Sequence, residues 1–443
     1  MEEKKSLPPT WKKAAAGFAA IAALATLILA CRAIGTYLHR RQEGNRLFAA
    51  GNYVEAKALY RQTGNDKMAA LCDEYALEQQ YLNGRRSLQS GDYERARALL
   101  LEIRGYKDAA NLLLACDYVE AGDLAERGEL EQAREIYLDL GDYPGVVDRI
   151  RELNEELYAY SLELADAFEL EHAVKLWTDL GDLKDCAARR SLGEKMIGWL
   201  NDKQAQRLTD PANAFTNDNA RKAYQIGDAA YLYVPDKCNK DTGFLLYYPG
   251  GYDQELYIDF FYYFLMNPPP NTIALFLTRN GVNHSVEEKN REGIELLLRA
   301  GAECGVFLKA PTVVGSSLGA YPALYSGLYT WKDFGLKVPA IMTLDAGNNW
   351  EQPDQMMAFQ ELKELAKIHP DIYLFDNPGL GLDREGIRQM VEAGNRVSMV
   401  DCTYDEHNQM TLDAMGMGVL HWMVGDRTGP CTMEIYNFRR LSE

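Results

Sequence analysis

The residues best suited to chemistry in this chain are Gly315-Ser316-Ser317-Leu318-Gly319, set between a β-branched run at 311–315 and an Ala- and Leu-rich stretch. A serine with a glycine two positions away on each side can occupy a sharp, strained strand-to-helix turn, its hydroxyl pointing out of the sheet. The following backbone N–H and the helix N-terminus then face the same spot, where negative charge is favoured. A serine hydroxyl is a weak nucleophile alone, and the base that activates it near neutrality is histidine. The chain has six histidines. His39 and His172 belong to the helical N-terminal half, His284 to a loop, His369 to a helix end beside Pro370, and His421 to an apolar final helix. His407 lies in the polar loop 401–409, beyond the last strand-like run.

The elements that must hold these groups are strands and helices by turns. Strand-like runs fall at 229–234, 243–248, 272–277, 311–315, 340–344, 372–375 and 397–400, and helical stretches at 286–302, 318–328 and 351–368. That alternation predicts a mostly parallel sheet covered by helices on both faces.

With the serine on such a turn, the sequence over about 223–425 resembles the α/β-hydrolase family, in the esterase-like manner. The resemblance implies that Ser317 is the nucleophile and His407 the base. Tyr248-Pro249-Gly250-Gly251, after an early strand, is similar to the glycine-containing oxyanion loop of esterases, although it begins with Tyr-Pro. It implies an oxyanion hole from the N–H of Leu318 with Gly250 or Gly251. The orienting acid is implied to be Asp376, which ends its strand and keeps the order Ser, Asp, His; Asp383 and Asp345 remain alternatives. The expected activity is that of a serine hydrolase acting on a small acyl or ester substrate through an acyl-enzyme. A catalytically silent hydrolase fold serving as a scaffold is the competing reading. No P-loop, zinc-protease helix or dinucleotide fingerprint is present, so the expectation is no cofactor and no metal.

Residues 14–31 carry no charge and are bracketed by Lys12 and Lys13 on one side and Arg32, Arg40 and Arg41 on the other. Extended through Leu38, this is the length of a bilayer-spanning helix, so 14–38 is expected to be a membrane anchor behind a basic tail, 1–13. The short basic tail favours the C-terminal domains lying outside the cytoplasm. Ile28-Leu29-Ala30-Cys31 also resembles a bacterial lipobox, the alternative being a lipoprotein anchored at Cys31.

Between 42 and 200 a pattern recurs, Gly51-Asn-Tyr-Val-Glu-Ala56, Gly91-Asp-Tyr-Glu-Arg-Ala96, Gly128-Glu-Leu-Glu-Gln-Ala133 and Phe168-Glu-Leu-Glu-His-Ala173, the alanines being roughly 40 residues apart. These units resemble tetratricopeptide-type repeats, although the fourth has Phe168 in place of glycine. The resemblance implies an all-α array of helical hairpins that binds a protein or peptide partner or serves as a spacer. The reading is therefore of a multidomain chain: anchor, helical-hairpin repeats, a linker over 201–225 and an α/β-hydrolase domain over 226–443.

An excess of 65 acidic over 47 basic residues gives a net charge of −18, which disfavours a nucleic-acid partner. The eight cysteines are far apart, with no C-x-x-C pair, and are read mostly as buried free thiols.

Overall fold

The computed structural model describes residues 9–216, 221–251, 254–278, 287–307, 309–351, 356–376, 384–402, 419–424 and 437–440. The chain forms two compact units, Met1–Leu153 and Asn154–Glu443.

Helices build the first unit: α1 (Pro9–Ala49), α2 (Tyr53–Gln62), α3 (Asp66–Gln89), α4 (Tyr93–Glu102), α5 (Ala109–Glu126), α6 (Leu130–Leu140) and the start of α7 (Val146–Asp166). The recurring glycines stop helices where a left-handed residue is required, Gly51, Gly91 and Gly128 having φ of 82°, 78° and 82°. Asn65 and Asp92 restart them, their side chains accepting from the N–H groups of Met68 and Arg95. The alanines that follow, Ala56, Ala96 and Ala133, are fully buried, and each has a buried partner one turn on, Tyr60, Leu100 and Tyr137. Within α1, Gly17–Ala49 is long and apolar enough to cross a membrane, and its most apolar window has no buried residue. Phe18 is 77% exposed and Leu29 66%, an arrangement that water does not favour.

The second unit combines α8 (Leu170–Leu180) and α9 (Cys186–Asn201) with a mixed sheet that has ten strands among the described residues, in the order β1-β2-β3-β5-β4-β6-β7-β8-β9-β10. The strands are β1 (Ala214–Thr216), β2 (Lys222–Ile226), β3 (Ala230–Tyr233), β4 (Gly243–Tyr248), β5 (Thr272–Leu277), β6 (Thr312–Ser316), β7 (Ala340–Leu344), β8 (Asp371–Asp376), β9 (Arg396–Asp401) and β10 (Asn437–Arg440). From β5 to β9 the sheet is parallel; β1, β2, β3 and β10 complete it as antiparallel edges. The central strands are apolar on both sides because both faces are covered. One face packs on α10 (Gln254–Met266) through Phe260, Phe261, Phe264 and Leu265, and on α15 (Val419–Val424). The other meets α11 (Glu287–Glu303) and α12 (Ala320–Phe334), with α13 (Phe359–Ala366) and α14 (Glu385–Glu392) beyond. The chain is thus a helical N-terminal region followed by a mixed-sheet unit with helices on both faces.

Three features differ from the sequence-based expectation. Residues 201–225, read as a linker, contain β1 and most of β2, and Leu208 is buried. The N–H groups of Leu208 and Thr209 each donate to the Glu303 carboxylate at 3.0 Å. Second, α8 and α9 pack on the sheet unit: Trp177 is fully buried with its ring 5.4 Å from that of Phe307, and Lys195 lies over Phe334 at 4.6 Å. Third, the helix expected over 351–368 is realised over Phe359–Ala366, where the Glu361 carboxylate accepts from the Ala358 N–H and fixes the start.

Candidate active site

Strand β6 is buried along its whole length, and the chain leaves it through a single 3₁₀ turn, Ser317–Gly319, that runs directly into α12. Ser317 adopts φ 47°, a left-handed conformation that costs a non-glycine residue about 1 kcal/mol or more. The two glycines of the motif have separate steric reasons. A Cβ on Gly315 would lie 2.2 Å from the carbonyl oxygen of Gly319 across the turn; one on Gly319 would lie 2.3 Å from the Tyr248 carbonyl oxygen and 2.6 Å from that of Pro249. The turn therefore closes on itself and presses against the end of β4. Ser317 is buried, at 6% exposure, and Leu318, the residue whose N–H follows it, is half-buried.

The segment 248–251 leaves the adjacent strand at the same edge, with Tyr248 paired to Gly315 across the β4–β6 ladder. A Cβ on Gly251 would meet the Leu318 side chain at 2.6 Å, so the two backbone segments expected to supply N–H donors are neighbours. Their position follows from topology. From β4 the chain goes first to β5 on one side and later to β6 on the other, so the carboxyl ends of β4 and β6 flank the point where strand order reverses. A crevice forms at such a point in open parallel sheets, and ligands bind there.

Two carboxylates stand along the same edge. Asp345 follows β7, the strand next to β6, at φ 50°; its N–H donates to the Phe375 carbonyl at 2.8 Å. Asp376 ends β8, and its Oδ2 accepts from the Gly347 N–H at 2.6 Å. Both are buried, at 4% and 2% exposure. Asp383, His407 and His284 lie outside the described residues, whereas His369 and His421 are described, the latter hydrogen-bonded to the Asn267 carbonyl at 2.9 Å. Among the described residues, no group of three or more His, Cys, Asp or Glu is arranged to hold a metal ion.

Sequence reasoning did not single out two pairings beside this turn. Ser316, whose side chain belongs to the sheet, shares a buried 2.6 Å hydrogen bond with the Tyr247 hydroxyl. Tyr321, in the first turn of α12, packs edge-on against Trp350 at 5.1 Å, and burial pushes its phenol well above the ordinary range. The Tyr321 hydroxyl and the Trp350 Nε1 are both buried with no hydrogen-bond partner among the described residues. Buried polar atoms left this way are uncommon in folded proteins. No sequence signal marks them, because both residue types are ordinary core aromatics.

No protein-family model matches the chain. No curated protein matches it either. Among solved structures it is similar to a predicted CIB-like hydrolase from Thermoplasma acidophilum, at 12% identity over 47% of this chain and 95% of that one, with a TM-score of 0.30. Carboxyl esterase 2 from the mycorrhizal fungus Tuber melanosporum is 12% identical over 50% of this chain and 87% of its own, at 0.33. Est1E from Butyrivibrio proteoclasticus is 13% identical over 48% of this chain and all of its own, at 0.31.

Proposed function

We propose that the sheet unit is a serine hydrolase of the carboxylic-ester or related acyl type, with Ser317 as nucleophile. The observation that carries this reading is the φ of 47° at Ser317, on a turn whose glycines at 315 and 319 leave no room for side chains and which sits where the strand order reverses. A left-handed non-glycine residue over-determined by its surroundings is the kind of strain that clusters at working sites.

In this reading Ser317 Oγ attacks the acyl carbonyl while His407 takes its proton, then returns it to the leaving group. The carbonyl oxygen becomes an oxyanion, stabilised by the N–H of Leu318 and that of Gly250 or Gly251, dipoles fixed before the reaction begins. Water, activated by the same histidine, releases the acyl group. Asp376 orients the imidazole and balances its charge; the Gly347 N–H holds that carboxylate in one rotamer. No cofactor enters these steps.

The remainder of the chain is proposed to place this unit. The apolar part of α1 anchors the protein in a membrane as a single-pass helix, with the C-terminal units outside the cytoplasm, or else the chain is a lipoprotein held at Cys31. The helices after it are tetratricopeptide-like repeats that bind a protein or peptide partner or act as a spacer. The test is labelling by a fluorophosphonate probe: the wild-type chain is expected to be labelled at Ser317, with label absent from Ser317→Ala. A folded protein that neither labels nor turns over ester, thioester or amide substrates would leave the scaffold reading standing.

A further inference from the structure

The segment after β7 joins the helix that follows Ser317 to the proposed acid. Beyond Asp345 the chain turns through a second left-handed residue, Gly347 at φ 47°, and enters the 3₁₀ segment Gly347–Glu351. At the near end of that segment the Gly347 N–H donates to Asp376 Oδ2 at 2.6 Å. The far end is pinned on two other elements. The fully buried Trp350 ring stands edge-on to that of Tyr321 at 5.1 Å, and Tyr321 lies in the first turn of α12, into which the Ser317–Gly319 turn runs. Glu351 is ion-paired with Arg384, the residue before α14. Gly386, in the first turn of α14, closes the junction: a Cβ there would lie 2.4 Å from the Tyr321 hydroxyl oxygen and 2.8 Å from the Trp350 carbonyl oxygen. The Tyr321 hydroxyl and Trp350 Nε1 have no hydrogen-bond partner among the described residues, so the rings meet by packing alone.

We propose that Trp350 is a positioning residue for the acid: its packing against Tyr321 and Gly386 holds the 3₁₀ segment so that the Gly347 N–H fixes the Asp376 carboxylate relative to Ser317. The inference rests on the serine-hydrolase reading with Asp376 as the acid. A backbone N–H directs a carboxylate only as firmly as its own backbone is held. A 3₁₀ segment has poor internal hydrogen-bond geometry and is used only in short pieces, so its orientation comes from what it packs on. Here that packing is one indole, seated on the helix that begins at the nucleophile's turn. The acid and the nucleophile are thereby referenced to each other through Trp350, and not through the sheet alone. Small displacements of a positioned group weigh heavily on a reaction rate. Since Trp350 is fully buried, substrate does not reach it, and its influence falls on kcat and not on KM.

The test is a double-mutant cycle on the full chain, read as kcat and KM for a p-nitrophenyl ester. Gly386→Ala drives a methyl group into the Tyr321 hydroxyl and the Trp350 carbonyl, and Trp350→Leu removes the ring. Each is expected to lower kcat by roughly 10- to 100-fold with KM little changed. Trp350→Phe keeps an aromatic ring against Tyr321 and is expected to recover most of that loss. In an Asp376→Asn background the same substitutions are expected to lower kcat little further, because they act through that carboxylate. Melting temperatures separate local displacement from unfolding, and Gly386→Ala carries the test if Trp350→Leu does not fold. Losses that multiply with that of Asp376→Asn, a raised KM at unchanged kcat, or unchanged kcat in folded Gly386→Ala would each overturn the proposal. Fluorophosphonate labelling of the wild-type chain is read first. A chain unlabelled at Ser317 overturns the serine reading and this inference with it, whereas a labelled chain giving any of those three results overturns this inference alone.

Discussion

The backbone of Gly319 touches the carbonyl of Tyr248, leaving 2.3 Å where a β-carbon would stand. The opposing atoms are main chain on both sides, so neither can yield by rotating a side chain. Gly319→Ala is expected to cost roughly 1–3 kcal/mol or more by overpacking and to abolish ester hydrolysis by displacing the turn. Gly251→Ala meets only the tip of the Leu318 side chain and is expected to be milder in both respects. Thermal melts and p-nitrophenyl ester kinetics on both variants check the order.

Replacing Ser317 separates strain from chemistry. Ser317→Ala and Ser317→Gly both lack the hydroxyl and are expected to lose hydrolysis by several orders of magnitude. Only glycine relieves the left-handed φ, so Ser317→Gly is expected to be more stable than Ser317→Ala by about 1 kcal/mol. Chemical denaturation of the two inactive proteins measures the difference; equal stabilities would argue against the strain.

Ser316→Ala is the complement. It removes the hydrogen bond to Tyr247 inside the sheet and is expected to cost about 1 kcal/mol of stability while leaving the rate largely intact. A large fall in kcat for this variant would mean that the adjacent serine has been assigned the wrong role.

For the acid, Asp376→Asn is expected to retain the hydrogen bond from Gly347 and hence the fold, but to leave the imidazole without an anionic partner. The rate is expected to fall by orders of magnitude, with Asp345→Asn milder. The reverse ranking would transfer the role to Asp345, on the strand next to the serine.

Trp177→Ala tests the docking of α8 and α9 on the sheet unit. Removing a fully buried indole is expected to cost about 3–5 kcal/mol, and a chain starting at Asn154 is expected to melt at a higher temperature than one starting at Asp202. Equal melting temperatures for these two truncated proteins would show the contact to be energetically idle.

Much of this arrangement was legible in the residues themselves. The core strands announce themselves because they are buried on both faces and therefore continuously apolar, and the expected 243–248, 272–277 and 340–344 match β4, β5 and β7. Gly-x-Ser-x-Gly was readable as a turn because its steric demand is local. The short, partly polar β1 and β2 were not, since an edge strand in a sequence rich in Asn, Asp and Thr has the composition of a loop. Nor could periodicity reveal that Trp177 packs against Phe307, because a helix face records that it is covered, not by what. The sequence does not choose among Asp345, Asp376 and Asp383 for a related reason: all are acids after strands or before helices, and Asp345 and Asp376 follow neighbouring strands.

The unbroken course of α1 from its apolar segment to Ala49 has a geometric corollary. Its last turns carry Asn45, which accepts from the Tyr60 hydroxyl of α2 at 2.8 Å, and Gly44, which packs on the same ring. In the proposed anchoring, the first hairpin then has no swivel: its azimuth around α1 and its height above the lipid would be set by helical phase, about 100° and 1.5 Å for every residue. One residue inserted between Leu38 and Gln42 would turn the hairpin to face a different direction over the membrane, while four would return it nearly to its original heading about 6 Å farther out.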